Sequence, residues 1–378
     1  MESITKNRQP VAVLRAMVER AFGAGLVSPA GDDWVTELGH GWFNVVYRIE
    51  LQDGRTVILK IAPPADVEVM SYERGAMATE LSALRLIGEQ SDVPVPTVEF
   101  ADQSHELCDA DYFFMSFVDA DNLGILLGQD AVSPAERDQY AEALGGLNRR
   151  LNQIPGPWFG PLDGPGETTW RACFLRRLDE VLEDGERRKV ELGLTYDLVR
   201  AAIAERADAL DEVTEPRFVE WDLFPNNAMV QDGAIVSLID HERAFYGDPL
   251  IEAGFIGIDM PNFGDPGAFL RGYGQGPLSA GERHRRWLYS LYLALVMVVE
   301  TEYRQLEPEH AETCRDRLRA LYAGRSGTPT ARTDHGTSTA PDRITAANTR
   351  HDTSQELASY SAPALSAPTS PPSSTAAS

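Results

Sequence analysis

Cysteine and lysine are the scarce residues of this 378-residue chain: three cysteines, and three lysines among 34 basic residues. Cys108, Cys173 and Cys314 stand too far apart to form a zinc set or a disulfide framework, which suits a reducing cytoplasm. The first 25 residues hold no continuous apolar core of the signal-peptide kind. The longest apolar stretch, 287–299, is broken by Ser290 and too short to span a bilayer. It reads as a buried core helix, and no membrane partner is expected. Positive charge is short as well. The formal net charge is −24, and residues 325–378 add nothing to it, since four Arg there balance three Asp and one Glu. Such a field repels phosphate backbones and gathers cations, which argues against nucleic acid and for a cationic or metal-bound ligand. Solubility alone accounts for it equally well.

An apolar share of 43% with 24% charged residues is that of a globular chain, long enough for one large two-lobed unit. Residues 10–22 have helical spacing, with Val11, Leu14, Met17, Val18 and Phe22 on one side. Strand-like runs at 43–51 and 56–61 are joined by Gln52-Asp53-Gly54-Arg55, a hairpin signal. The period turns helical over 65–88 and must stop before Pro94 and Pro96. Strands at 97–101 and 112–118 complete a small, mostly antiparallel sheet with one long helix. Beyond it come helices at 134–151, 169–186 and 196–210, a β patch at 218–239, and helices from 249, over 282–303 and over 308–323. The pattern predicts an α+β, two-lobed chain: a β-rich front of residues 1–118 and a mostly helical part of residues 119–323. The tail 324–378 is mostly Ser, Thr, Ala and Pro and is expected to be disordered.

The segment Phe218-Val-Glu-Trp-Asp222-Leu-Phe-Pro-Asn-Asn227-Ala-Met-Val, followed by Ile235-Val-Ser-Leu-Ile-Asp240, is two short apolar strands around Gln-Asp-Gly. A hairpin brings its ends together, so Asp222 and Asn227 at its mouth should meet Asp240 at its exit. Two carboxylates and an amide oxygen are hard donors that suit Mg²⁺ also held by phosphates. Phosphoryl transfer further asks for one carboxylate to take the acceptor's proton. Asp222 fits that role, with Asn227 and Asp240 as metal ligands; an Asx-rich turn explains the same residues taken alone. Gly39 and Gly41, in Glu37-Leu-Gly-His-Gly-Trp-Phe-Asn44, would let backbone amides approach a phosphate, or form an ordinary turn. Lys60 lies inside the apolar strand Val57-Ile-Leu-Lys-Ile, where a charge is costly unless paired or snorkelling to the edge. Glu80 and Glu73, seven residues apart on the following helix, are both candidate partners.

At this point the chain resembles the aminoglycoside phosphotransferase and choline-kinase group of the protein-kinase-like fold. That family's core runs His-Gly-Asp, four residues, Asn, then a hairpin ending Ile-Asp-Trp-Glu and a Gly-Asp-Pro. Here it reads Glu220-Trp221-Asp222, Asn227, Ile239-Asp240-His241-Glu242 and Gly247-Asp248-Pro249. Glu220 stands where the family has a scaffold histidine, and Phe224 and Asn226 where it has His and Gly. Lys60, Glu80 and Val93-Pro-Val-Pro96 fall where the family has its strand lysine, helix glutamate and proline pair. The resemblance implies that Phe113-Phe-Met115-Ser-Phe117 is the hinge strand that holds adenine. With Gly39, Gly41, Asn44, Lys60 and Glu80, Met115 and Phe117 would form the nucleotide site.

The resemblance also implies ATP, with GTP left open, and Mg²⁺. The expected reaction is phosphorylation of a hydroxyl on a small molecule, with a cationic antibiotic as the first candidate. Asp179, Glu180, Glu183, Asp184 and Glu186 could line a site for it, or form a solvated helix face. A metabolic kinase for choline, homoserine or a thio-sugar is the alternative, and a nucleotide-binding protein without turnover the third. A monomer and a homodimer are equally compatible with the sequence.

Overall fold

The computed structural model describes residues 4–27, 31, 33–39 and 43–324. Gly41 and the tail beyond residue 324, for which the sequence raises expectations, lie outside the described residues.

The chain opens with helix α1 (Val11–Phe22), ended by Gly23 at φ 91°. Five strands follow: β1 (Val35–Glu37), β2 (Val45–Glu50), β3 (Thr56–Ile61), β4 (Val98–Asp102) and β5 (Tyr112–Ser116). They form one antiparallel sheet in the order β1-β2-β3-β5-β4, with helix α2 (Ala76–Gln90) inserted between β3 and β4. Strand alternation decides what each face meets. Val57, Leu59 and Ile61 pack with Leu14, Met17 and Val18 of α1. Ile58 faces the other way, onto Met77 and Leu84 of α2. Lys60 shares the face of Ile58 and is thereby aimed at α2.

Helix α2 is shorter than the periodicity predicts. The chain from Pro63 to Met70 is irregular, Ser71–Glu73 makes a 3₁₀ turn, and Gly75 in the left-handed region (φ 74°) begins the helix at Ala76. The Glu73 carboxylate accepts the Met70 N–H at 2.9 Å and so caps that turn instead of joining the helix.

The remainder is largely helical. After β6 (Asp121–Asn122) come α3 (Leu123–Gly128), α4 (Pro134–Leu151), α5 (Trp170–Arg188) and α6 (Tyr196–Ala204). Then follow β7 (Arg217–Val219), the hairpin β8 (Ala228–Gln231) and β9 (Ala234–Leu238), and β10 (Phe245–Gly247). Helices α7 (Gly267–Tyr273), α8 (Ala280–Tyr303) and α9 (Pro308–Gly324) complete it. Ser133 and Ser279 cap α4 and α8 with full capping boxes. The apolar stretch 287–299 lies in α8, where Leu288, Leu291, Ala294, Leu295 and Val298 are wholly buried. Among the described residues no helix is long and apolar enough to cross a membrane. The helix expected over 196–210 divides into α6 and a 3₁₀ turn (Ala207–Glu212), and that expected from 249 is a pair of 3₁₀ turns, Pro249–Ile251 and Ala253–Ile258. Burial of short apolar runs overrode the weak local helical period there.

Two short pairings frame the loop that the sequence singles out. β7 pairs with β10, Val219 opposite Phe245, and β8 pairs with β9, Ala228 opposite Leu238. Residues 220–227 and 239–244 are therefore held side by side between the two. The three-residue β10 carries no sequence signal; its register with β7 is what returns the chain to the loop.

Helices α4 and α7 approach closely enough that a Cβ on Gly272 would collide with the backbone of Glu142. Gly88, exposed near the end of α2, meets nothing within 4 Å. Gly272→Ala is expected to lower stability by about 1–3 kcal/mol. Gly88→Ala is expected to raise it by about 0.5–1 kcal/mol. Thermal unfolding of the two variants should shift the Tm in opposite directions.

Candidate active site

Lys60 is the meeting point of the molecule. Its side chain is 5% exposed and its Nζ lies 2.6 Å and 2.8 Å from the two carboxylate oxygens of Glu80. The same nitrogen donates to Asp240 Oδ1 at 2.7 Å. Burial alone would strip the ammonium of its proton, but Asp240 and Glu80 outweigh that and hold it charged. Partial burial pushes Asp240 up, but Lys60 outweighs it and keeps the carboxylate below its usual range. Glu73, the other candidate partner, ion-pairs with Arg304 at 2.7 Å.

Asp240 adopts φ 69°, which turns its side chain out of the line of β9. Glu242, two residues on, is buried and accepts the Asn44 amide at 2.5 Å. Burial and the neighbouring Asp240 push it up to about 8. Carboxylate oxygens of Glu80, Asp240 and Glu242 lie within 4.8 Å of one another. Asn227 donates its Nδ2 to the Asp222 carbonyl at 2.8 Å, which leaves the amide oxygen as the end it can offer a cation. Its own carbonyl accepts the Ile239 N–H at 3.0 Å, so the hairpin ends do converge. This all-oxygen donor set fits a hard divalent cation.

Asp222 sits on the loop between β7 and β8. Burial pushes it up to about 6, with the guanidinium of Arg243, 3.6 Å away, pulling the other way. The loop is fixed from behind by buried Glu252, whose two oxygens accept the N–H groups of Glu220 (2.9 Å) and Trp221 (2.8 Å). That clamp holds Trp221 at φ 62°, rare for a bulky residue. Beside it Glu220 meets His241: Nδ1 is 2.9 Å from Glu220 and Nε2 is 3.3 Å from the Leu238 carbonyl. Both ring nitrogens face acceptors, and Glu220 raises the ring's pKa against the effect of burial. Glu220 thus ties the Asp222 loop to the Asp240 loop by a buried ion pair. Asn226 fits because Gly124, where any Cβ would collide with it, leaves room, and Asn122 donates to its carbonyl at 2.6 Å.

Met115 is buried on the α2 side of the sheet, and Phe117, just past β5, packs with the same cluster. A side chain at Gly39 would meet nothing within 4 Å. Of the acidic residues on α5, Asp184 is buried and accepts the Ser71 N–H at 2.7 Å, and Glu186 pairs with Arg200 at 2.8 Å; both are structural. The sequence reading missed Glu242, Glu252 and Arg243. Arg243 stacks over Tyr72 (5.2 Å) and Trp221 (5.7 Å) and is 3.9 Å from Glu300. Its only sequence signal is its place three residues after Asp240.

An antiparallel sheet with one helix, a buried lysine shared by that helix and a hairpin exit, and a helical body carrying the hairpin define the bilobal protein-kinase-like fold. The profile described as the Phosphotransferase enzyme family matches residues 34–288, and the chain belongs to that family. It is an enzyme, a phosphotransferase. Solved structures agree on the fold. A thermostable mutant of aminoglycoside phosphotransferase APH(4)-Ia, in ternary complex with AMP-PNP and hygromycin B, is 17% identical at a TM-score of 0.61, covering 83% of this chain and 99% of its own. A protein assigned as a fructosamine-3-kinase of Thermobifida fusca YX-ER1 is 24% identical at 0.56, covering 82% and 98%. The streptomycin–ATP complex of APH(2")-IIa is 14% identical at 0.55, covering 83% and 99%.

The Lys60 contacts predict which glutamate is coupled to it. A double-mutant cycle of Lys60→Met with Glu80→Gln, scored on urea unfolding, should show an interaction of about 0.5–3 kcal/mol. The same cycle with Glu73→Gln should be additive.

Proposed function

We propose that this enzyme transfers the γ-phosphoryl group of ATP, with Mg²⁺, to a hydroxyl on a small molecule. The observation that carries the reading is the Lys60 ammonium shared between Glu80 and Asp240, with Asp222 across the hairpin mouth. Lys60, fixed by Glu80, holds the α- and β-phosphates. Asp240 and Asn227 hold the metal, which when bound neutralises charge on the β- and γ-phosphates. Gly39, Gly41 and Asn44 cover the phosphates, and Met115 and Phe117 flank the adenine. Asp222 receives the proton of the acceptor hydroxyl; its pKa near 6 leaves it ionised at neutral pH and still basic enough to help. Arg243 steadies that carboxylate in its charged form.

The acceptor we propose is an amino-bearing antibiotic, supported by the acidic chain and by the hygromycin B and streptomycin complexes of the similar structures. One observation favours a neutral acceptor, the thio-sugar among the metabolic alternatives. The fixed cation of Arg243, 3.6 Å from Asp222, repels an ammonium group placed next to the reacting hydroxyl. A turnover screen of aminoglycosides against choline, homoserine and a thio-sugar separates the two readings. Turnover with neither group would remove both.

Asp222→Asn should lower kcat by about 10²–10⁴-fold while nucleotide binding survives. The kcat/KM of the parent should rise with pH around 6, as Asp222 loses its proton. Arg243→Gln removes the charge that favours the carboxylate, so this limb should move to higher pH; a limb that stayed or moved down would contradict the assigned base. Asp240→Ala should abolish turnover and make ATP affinity insensitive to Mg²⁺, measured by titration calorimetry.

A further inference from the structure

We propose that Lys6, on the arm that precedes α1, is a second phosphate-binding cation of the nucleotide site, a deepening of the ATP reading above. In the structure its Nζ donates to the Asn44 carbonyl at 2.5 Å. Asn44 immediately precedes β2, and its side chain donates to Glu242, so Lys6 lies one residue from the carboxylate cluster. Glu37 and Asp240 attract the ammonium, and Arg8 opposes them.

The arm is a built element. Thr5 and Asn7 are buried, Arg8 pairs with Glu37 of β1 at 2.8 Å, and the Gln9 N–H reaches the Tyr47 hydroxyl of β2 at 3.4 Å. Asn7 bonds Gln9 at 2.6 Å and Asp109 at 3.5 Å. These contacts seat the arm on the ends of β1 and β2, the two strands that flank the glycine segment. The ammonium is delivered half-buried, and among the described residues its hydrogen-bond acceptor is a neutral carbonyl, not a carboxylate. Burial accordingly lowers it to about 8. A carbonyl is a weak resting partner for such a group; a phosphate oxygen is a stronger one.

Charge balance asks for this cation. Lys60 is already matched by Glu80 and Asp240 is committed to metal, while a triphosphate brings about four negative charges against two on Mg²⁺. Lysine also suits this role, because a compact ammonium with three rotatable donors follows a terminal phosphate without demanding a planar partner. Two of the three lysines in this arginine-rich chain, Lys6 and Lys60, stand at this one cleft.

The test is calorimetric titration of the full chain and of Lys6→Met with Mg-AMP-PNP and, separately, with adenosine. Lys6→Met is expected to bind Mg-AMP-PNP about 10- to 100-fold more weakly, the loss of one charge-assisted hydrogen bond, with adenosine unchanged. Lys6→Arg should recover most of the difference. Equal weakening toward both ligands would make Lys6 a structural tether and overturn the proposal, as would unchanged or tighter binding of Mg-AMP-PNP. A parent chain that binds neither ligand would overturn the ATP reading, and this one with it.

Discussion

One ammonium group in a nearly dry cleft holds the site together. Lys60 is bonded to a helix on one side and to the exit of a distant hairpin on the other, at 2.6 and 2.7 Å. Taking the Lys60 and Glu80 charges out of water is expensive, and in fold terms an apolar pair would serve as well or better. The arrangement persists only because each charge has its partner, and removing one partner of such a pair typically costs about 3–5 kcal/mol. The sheet, α2 and the exit of the β8–β9 hairpin consequently meet at one atom. Everything else at the site is arranged around that fixed point.

The second level of support is backbone capture. Glu252 takes two successive N–H groups of the Asp222 loop, and Asn152, just past the end of α4, donates to it at 2.8 Å. Burial pushes Glu252 up to about 7, opposed by these hydrogen bonds. Two left-handed residues, Trp221 and Asp240, lie on the two loops so clamped. Residues in that region cost on the order of 1–3 kcal/mol and last only where the surroundings over-determine them. Here the surroundings are the β7–β10 and β8–β9 ladders, Glu252, and the Glu220–His241 pair.

Much of this was legible in the sequence, for identifiable reasons. A charged residue inside Val57-Ile-Leu-Lys-Ile is conspicuous, and a hairpin with Asp and Asn at its mouth and Asp at its exit states its own geometry. The two-lobed plan followed from the change of period after residue 118. Glu80 and Glu73 could not be separated by spacing, because seven residues is two turns of one helix face. Gly75 and the cap made by Glu73 decide it, by starting the helix between the two. Arg243 was hidden because an arginine in a polar loop reads as surface. Its burial depends on Tyr72 and Trp221, brought together from distant parts of the sequence. Glu252 was hidden for a like reason: its work is done on backbone amides, which carry no residue code.

The Glu220–His241 pair has a consequence for how this sequence can change over generations. The two residues are 2% and 0% exposed in their side chains, and each is the other's counter-charge. Replacing either alone leaves a buried polar group without its partner, so single steps from this pairing to an apolar one are costly. Both positions must turn over together, or the chain must first accumulate stability elsewhere to survive the intermediate. The pair therefore couples the Asp222 loop to the Asp240 loop as units of exchange: a chimera whose crossover fell between the two would carry half of it.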